Sequence, residues 1–173
     1  MQIIIDAYKK TRQLHHAYLI EGEREVVFTK LSAFLKDEIG VESAGNPDFW
    51  HGEFDKFGID EGRRLKNLQS KRGVTSLPRV FIISTHFFTK EAQNTLLKVF
   101  EEPTEKTHFF IITPSAENIL PTLRSRLFIV SDESVSDLSK ESVTQADNFL
   151  HGDISERIKI IKPLIENKDK IKT

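Results

Sequence analysis

The sequence predicts an α/β fold of three layers, in which helices cover both faces of a mostly parallel, five-stranded sheet. Three apolar runs lack polar alternation: RVFIIS at 79–84, HFFIIT at 108–113 and LFIVS at 127–131. Such runs are typical of strands that are buried on both faces. Apolar residues at helical spacing separate the strands, and this alternation of strands and helices indicates a parallel sheet.

Apolar periodicity and turn residues predict the elements of the N-terminal part. A helix at 3–13 has one apolar side, and the compact run HAYLI at 16–20 predicts a buried strand. Apolar residues recur at helical spacing through 24–39, and Gly40 ends that helix. Turn residues followed by aromatic residues then predict a second strand near 48–54.

Helix-end patterns predict the next two helices. The helix at 59–73 has acidic residues near its start, basic residues near its end and Gly73 at its close. Thr89 is expected to cap a helix at 90–101, which Pro103 terminates.

The character of the chain changes after Ser131. A polar, acidic stretch predicts a linker, and two helices at about 135–150 and 154–170 carry the remaining apolar residues. We therefore predict two domains, an α/β core at 1–131 and a small helical unit, or part of one, at 132–173.

Composition restricts the classes of function. With 25 basic and 26 acidic residues the net charge is −1, so any DNA contact has to be local. The absence of cysteine excludes disulfides, thiol nucleophiles and zinc sites built on thiolates. No apolar run approaches the roughly 20 residues of a membrane span, and the N-terminus lacks the pattern of a signal peptide. The expected location is the cytoplasm, without membrane contact.

The stretch EGEREVVFTK, residues 21–30, has the frame of a phosphate-binding loop between a strand and a helix. In GxxxxGK[ST], backbone N–H groups wrap the phosphates, the lysine neutralises charge and the hydroxyl binds Mg²⁺. Counting from Gly22 places Val27 at the second glycine, Phe28 at the lysine and Thr29 at the hydroxyl position. Val27 resists a positive φ, and Phe28 offers a ring where a phosphate should lie.

The second nucleotide element is also changed. A strand such as RVFIIS should be followed by an acidic pair that holds Mg²⁺ and polarises water, but Ser84 and Thr85 stand there. Neither residue holds a metal as a carboxylate does. The sequence therefore predicts a degenerate ATPase frame with no catalytic residue, no nucleotide cofactor and no metal. An atypical NTPase that uses Thr29, Thr113 and residues of a partner remains an alternative.

The stretch KEAQNTLLKVFEEPTEKTHFFIITPSAENILPTLRSRL, 90–127, resembles the clamp-loader branch of the AAA+ family, and within it the delta-prime subunits of bacterial DNA polymerase III. HHAYLI-EG and NPDF match as well, so the likeness covers roughly residues 10–130. It implies a RecA-like AAA+ core followed by a helical lid. The four zinc-binding cysteines of many relatives are missing, and we expect the family's collar domain to be absent.

The resemblance implies a function without ATP hydrolysis. Delta-prime subunits occupy one place in a ring of five and present a Ser-Arg-Cys motif to a neighbour's nucleotide; here the matching residues are Ser125, Arg126 and Leu127. Arg126 would then act in trans as an arginine finger. Thr113 falls at the sensor position, where it has nothing to sense. The alternative is a structural Arg126, paired with a carboxylate at the foot of the last strand.

The implied partners are the ATPase subunits of the DNA polymerase III clamp loader, with DNA contacted through the complex. Arg63 and Arg64 are candidates for contact with a DNA backbone, although such a group of basic residues is more often a solvated helix face. A free-standing protein- or DNA-binding module derived from the clamp-loader fold is a further alternative. We expect no metal at His15 and His16, and burial of Phe87–Phe88 rather than an interface.

Overall fold

The computed structural model describes residues 1–131 of the chain. Its five strands are β1 (Ala17–Glu21), β2 (Phe49–Phe57), β3 (Arg79–Phe88), β4 (Thr107–Thr113) and β5 (Phe128–Ser131). They form one sheet in the order β2-β3-β4-β1-β5, and every ladder is parallel. The helical unit that the sequence predicts at 132–173 lies outside the described residues, so the division into two domains stays a prediction.

Five α-helices accompany the sheet within these residues: α1 (Gln2–Thr11), α2 (Arg24–Phe34), α3 (Ile59–Gln69), α4 (Lys90–Glu101) and the single turn α5 (Pro121–Arg124). A π-helical turn, Leu35–Ile39, extends α2. The predicted α/β class and the five-stranded sheet are confirmed. The helix predicted at 24–39 and ended by Gly40 corresponds to α2 with this turn. The single turn α5 is too short for hydrophobic spacing to predict.

The core lies on both faces of the sheet, which gives the three predicted layers. Successive residues of β1 point to opposite faces. Leu19 packs into a cluster with Leu96 of α4, whereas Ile20 belongs to a second cluster with Leu31 of α2. All four side chains are fully buried or nearly so.

Helix α4 follows its prediction closely. The Thr89 hydroxyl accepts a hydrogen bond from the Ala92 N–H at 3.1 Å, and this bond caps the helix. The helix ends at Glu101, two residues before Pro103. Gln93 is buried among the apolar residues of this helix, which the apolar pattern did not predict.

The predicted end of α3 is wrong. The helix stops at Gln69 rather than near Gly73. The cause is Arg79, whose guanidinium donates hydrogen bonds to the carbonyls of Leu68, Gln69 and Lys71. These carbonyls belong to the helix end and the residues just after it, so a distant cation rather than a glycine completes the C-terminus.

A buried ion pair holds the loop that follows α3. The Asp48 carboxylate accepts hydrogen bonds from the backbone N–H groups of Val74 at 2.9 Å and Thr75 at 2.6 Å, and it lies 3.6 Å from the Arg79 Nε. Burial alone raises the pKa of Asp48, but the hydrogen bonds from Val74 and Thr75 and the charge of Arg79 outweigh burial and lower it below its ordinary value.

Strand β3 is longer than predicted. It continues to Phe88 because β2 continues beside it, with Phe57 opposite Phe88. Ser84 and Thr85 therefore lie inside the strand rather than after it. Phe88 is buried as expected, but the expected burial of Phe87 is wrong, since this side chain is 46% exposed.

Candidate functional site

The carboxyl ends of the parallel strands bring together the residues of the predicted nucleotide site. In α/β sheets, ligands bind at this edge. Gly22 follows β1, and its N–H donates a hydrogen bond to the carbonyl of Thr113, the last residue of β4, at 3.0 Å. Two residues of the predicted site, Gly22 and Thr113, therefore lie next to each other.

The loop that would wrap a phosphate is not formed. Strand β1 ends at Glu21 and α2 begins at Arg24, so only Gly22 and Glu23 lie between them. The positions that the motif assigns to its second glycine and its lysine, Val27 and Phe28, belong to α2 itself. Thr29, at the hydroxyl position, lies exposed on the same helix.

A carboxylate of the chain occupies the start of α2. The Glu23 side chain accepts hydrogen bonds from the N–H groups of Val26 at 2.9 Å and Glu25 at 3.3 Å. The first N–H groups of a helix are those that bind phosphate in nucleotide sites. Here two of these groups already donate to an anion of the protein.

The Arg24 side chain extends across the edge of the sheet. Its Nη2 donates a hydrogen bond to the Phe54 carbonyl at 3.2 Å and contacts the His86 Nδ1 at 3.1 Å, while its Nη1 lies 3.8 Å from the Glu53 carboxylate. The cation thus connects the start of α2 to β2 and β3, and its charge is directed toward these strands.

Phe28 packs against β2. Its ring stacks on the His51 imidazole, with centroids 4.1 Å apart and an angle of 14° between the planes. The His51 Nε2 lies 3.0 Å from the Ser84 hydroxyl. Burial lowers the pKa of His51; Arg24 lowers it further, and Glu53 opposes them. The His51 imidazole therefore lies between the Phe28 ring and Ser84 of β3.

The remaining hydroxyls of the predicted site are also occupied. The buried Thr85 hydroxyl donates to the Phe87 carbonyl at 3.1 Å, and the Thr113 hydroxyl donates to the Ser115 carbonyl at 3.3 Å. Within residues 1–131, no group of three or more His, Asp or Glu residues is arranged to hold a metal ion. His15 and His16 lie with their rings 4.2 Å apart and are part of no such group.

Sequence reasoning missed the role of Glu21. Its carboxylate accepts hydrogen bonds from the Ala116 N–H and from the Ser131 hydroxyl, each at 2.7 Å. It therefore joins the end of β1 to β5 and to the loop after β4. The available signal was a single acidic residue directly after the apolar run AYLI.

Arg126 lies at the opposite edge of the sheet. Tyr18 of β1 is opposite Phe128 of β5, so Arg126 is level with His16, at the amino ends of the strands. Gly22 is six residues further along β1, about 20 Å away at the usual rise of a strand. An arginine side chain does not span that distance, so Arg126 does not reach the predicted nucleotide site of its own chain.

Residues close to Arg126 hold its guanidinium. Its Nη1 donates hydrogen bonds to the Thr122 carbonyl at 2.5 Å and to the Ser125 hydroxyl at 3.4 Å, and its Nη2 pairs with the Glu101 carboxylate. The Arg126 side chain is nevertheless 32% exposed. The alternative of a structural Arg126 predicts a paired carboxylate, and Glu101 at the end of α4 provides one. The Arg126 guanidinium also remains accessible to solvent.

The two candidate DNA-contact residues are exposed on α3. Arg63 lies 3.6 Å from Asp60 in a surface ion pair, and Arg64 is also exposed. A shallow groove between α3 and α4 is lined by Arg63, Lys66 and Lys98, together with one carboxylate, Glu91. Along residues 1–131, no helix is long and apolar enough to cross a membrane.

Known proteins match this chain along most of its length. The DNA polymerase III subunit delta' of Bacillus subtilis (strain 168) is 30% identical over 146 residues, covering 73% of this chain and 44% of that protein. The corresponding subunit of Buchnera aphidicola subsp. Schizaphis graminum is 27% identical over 220 residues, covering 96% of this chain and 67% of that protein.

A solved structure supports the fold. The crystal structure of a DNA polymerase III, gamma subunit-related protein from Thermotoga maritima MSB8 superposes with a TM-score of 0.61 at 23% identity, over 92% of this chain and 54% of that one. The chain thus spans about half the length of the Thermotoga protein and of the Bacillus relative.

A family model provides the assignment. The model described as DNA polymerase III, delta subunit, matches residues 40–135, more than half of the chain. The matched stretch includes β2, β3, β4 and β5, together with Ser125 and Arg126. The chain therefore belongs to the DNA polymerase III, delta subunit family.

Proposed function

We propose that this chain is a non-catalytic clamp-loader subunit of the delta-prime type, which assists DNA replication in the cytoplasm by binding partner ATPase subunits of DNA polymerase III. The family match and the relatives named delta' support this proposal. The start of α2 supports it further. Glu23 caps the helix that would bind phosphate, and the two residues before that helix are too few to form a phosphate-binding loop.

In this proposal, Arg126 acts in trans on the nucleotide of an adjacent ATPase subunit. The single observation that carries this part is its position about 20 Å from Gly22, at the other edge of the sheet. A guanidinium at this position does not contact a nucleotide bound near Gly22 of the same chain, but it is available to a second molecule. Near a γ-phosphate it would stabilise the charge that develops in phosphoryl transfer. Ser125 would restrict its orientation through the Oγ contact at 3.4 Å.

The test is ATP hydrolysis by the gamma/tau-type subunit of the same organism, mixed with this chain. We expect the stimulated rate to fall by about 10³-fold at the adjacent site with Arg126→Ala. Arg124→Ala is the matched control, since Arg124 is an exposed arginine two residues away. Equal stimulation by wild type and Arg126→Ala would refute the trans role.

A second candidate function is direct contact with DNA. The groove between α3 and α4 is lined by Arg63, Lys66, Lys98 and Glu91, with Asp60 paired to Arg63, so one positive charge is left in excess on a chain whose net charge is −1. Arg64 is exposed on the same helix, outside this groove. DNA affinity that falls steeply with salt, and whose salt slope decreases by about 1 for each of Arg63→Ala and Arg64→Ala, would favour a DNA-binding module.

An atypical NTPase is the third candidate. It would need Thr29 and Thr113, but Thr29 is exposed on α2 and the Thr113 hydroxyl donates to a backbone carbonyl. We propose that the chain alone has no ATP turnover. Turnover by the purified chain that disappears with Thr29→Ala would favour the enzyme instead.

A further inference from the structure

We infer that α4 positions Arg126 for its role in trans, with Gln93 and Glu101 holding the two ends of the segment 118–126. This inference rests on the proposed function of Arg126. It adds two positioning residues on a different element. Neither residue needs to touch a nucleotide, since each acts through the segment that carries the arginine.

Gln93 holds the start of the segment. Its Nε2 donates hydrogen bonds to the Asn118 carbonyl at 3.0 Å and the Phe88 carbonyl at 3.4 Å, and its Oε1 accepts one from the Leu120 N–H at 2.7 Å. The side chain is 1% exposed. A buried amide with its hydrogen bonds formed is costly to displace. It therefore fixes the chain just before α5 begins.

Glu101 holds the other end. It lies eight residues after Gln93 on α4, about 12 Å along the helix axis. Its carboxylate pairs with the Arg126 Nη2. A negative side chain in the last turn opposes the helix dipole, so helix stability does not explain its presence. The arginine that it faces does explain it.

The segment between these two contacts is packed on the core. Leu123, in the middle of α5, is fully buried in the same cluster as Phe100 of α4. Backbone hydrogen bonds from Arg124 to Leu120 and from Ser125 to Pro121 form the turn. Side-chain contacts at both ends and an apolar anchor between them leave the segment little freedom to shift along α4.

The guanidinium retains unused donors in this arrangement. Arginine has five N–H donors, and the contacts with Thr122, Ser125 and Glu101 use three of them. Among residues 1–131, the other two have no hydrogen-bond partner, and the side chain is 32% exposed. Because Glu101 fixes the plane of the guanidinium, those two donors keep one direction, and less orientational freedom is lost when they meet a phosphate.

The decisive experiment measures ATP hydrolysis by the gamma/tau-type subunit of the same organism with saturating amounts of this chain. We expect Glu101→Ala to lower the stimulated kcat at least tenfold, while the KM for ATP and the affinity between the two proteins remain unchanged. Glu101→Gln keeps an oxygen acceptor without the charge, so its stimulated kcat should lie between those of the wild type and Glu101→Ala. Glu102→Ala, at the adjacent exposed carboxylate, is the matched control and should behave as wild type.

A second readout uses the chain alone. We expect the Nη–H signals of Arg126 in ¹⁵N NMR to be resolved in the wild type, because Thr122 and Glu101 hold the two Nη groups, and to be broadened by Glu101→Ala but not by Glu102→Ala. Circular dichroism confirms that each variant is folded. An Arg126 signal that Glu101→Ala leaves unchanged would overturn the inference.

The Arg126→Ala variant separates the two levels of the hypothesis. If it does not reduce the stimulation, the proposed function fails, and the positioning role of α4 fails with it. If Arg126→Ala abolishes stimulation but Glu101→Ala does not reduce it, only the positioning role is wrong. Higher stimulation with Glu101→Ala would identify Glu101 as a restraint that has to release the arginine, which also overturns the inference.

Discussion

Glu23 closes the start of α2 with its own carboxylate, which accepts the Val26 N–H at 2.9 Å. In a nucleotide-binding relative of this fold, a phosphate would lie against such N–H groups. The helix also begins only two residues after Gly22. This chain therefore differs from a nucleotide site in its backbone and hydrogen bonds as well as in the missing lysine.

We predict that Phe28→Lys does not create ATP binding. The new lysine would lie on α2 beside His51, since no loop presents it to a phosphate. Isothermal titration calorimetry with Mg²⁺ and ATP should give no heat of binding for the wild type or the variant. Micromolar binding by the variant alone would mean that only the charge was missing. ATP binding by both proteins would refute the interpretation that the Glu23 cap and the short connection before α2 prevent nucleotide binding.

Asp48→Ala should destabilise the chain strongly. Removing one member of a buried ion pair leaves the other charge without compensation, at a cost of about 3–5 kcal/mol. The loop N–H groups of Val74 and Thr75 would also lose their acceptor. Urea unfolding gives the change in the free energy of unfolding.

Asp60→Ala is the control, since its pair with Arg63 is exposed and should contribute less than about 1 kcal/mol. Equal effects of the two substitutions would contradict this prediction.

Stability should decline as the pH falls below about 6.5, the ordinary pKa of histidine. Burial lowers the pKa of His16, with help from His15 and His108, and burial also lowers those of His108 and His51. The unfolded chain then binds more protons than the folded one. These groups contribute their full stabilisation above the unfolded pKa, and it is lost progressively as the pH falls from that value to the folded pKa.

Urea unfolding at about pH 7.5 and about pH 5.5 measures this loss. The pKa of Asp48 is lowered from 3.8, so this carboxyl stays ionised at both values and does not add to the change. His16→Asn should flatten part of the pH dependence, because the buried His16 Nε2 has no hydrogen-bond partner among the described residues. A chain that becomes more stable on acidification in this range would disprove the assignment.

The sequence predicted β1, β3 and β4 well because each contains a continuous apolar run that is buried, which local pattern suffices to identify. The predicted burial of 127–131 on both faces is wrong, because β5 is the last strand of the sheet and its Phe128 side chain is 43% exposed. Gly22 and Thr113 lie next to each other because parallel strands end together. The sequence did not predict the Glu23 cap, because glutamate is not a favoured capping residue, or the reach of Arg24 to Phe54. Contacts between residues far apart in the chain have no local signal, and Gln93 with Leu120 is another example.

Trp50 and Phe54 lie across the backbone of Gly52 on strand β2, and they require that this residue remain a glycine. A Cβ added at Gly52 would lie 2.4 Å from the Trp50 ring and 2.6 Å from the Phe54 ring. We predict that Gly52→Ala displaces both rings and destabilises the chain by about 1–3 kcal/mol. Since the chain has one tryptophan, its fluorescence reports the displacement of Trp50 directly.

Gly62→Ala is the matched control for this substitution. Gly62 is a buried glycine inside α3, and its added Cβ would meet Thr95 at 3.4 Å, an ordinary contact. Because alanine is favoured over glycine within a helix, the control should be neutral or stabilising by up to about 1 kcal/mol, with unchanged fluorescence. If Gly52→Ala leaves both the emission spectrum and the urea midpoint at wild-type values, the rings do not rest on Gly52 in solution.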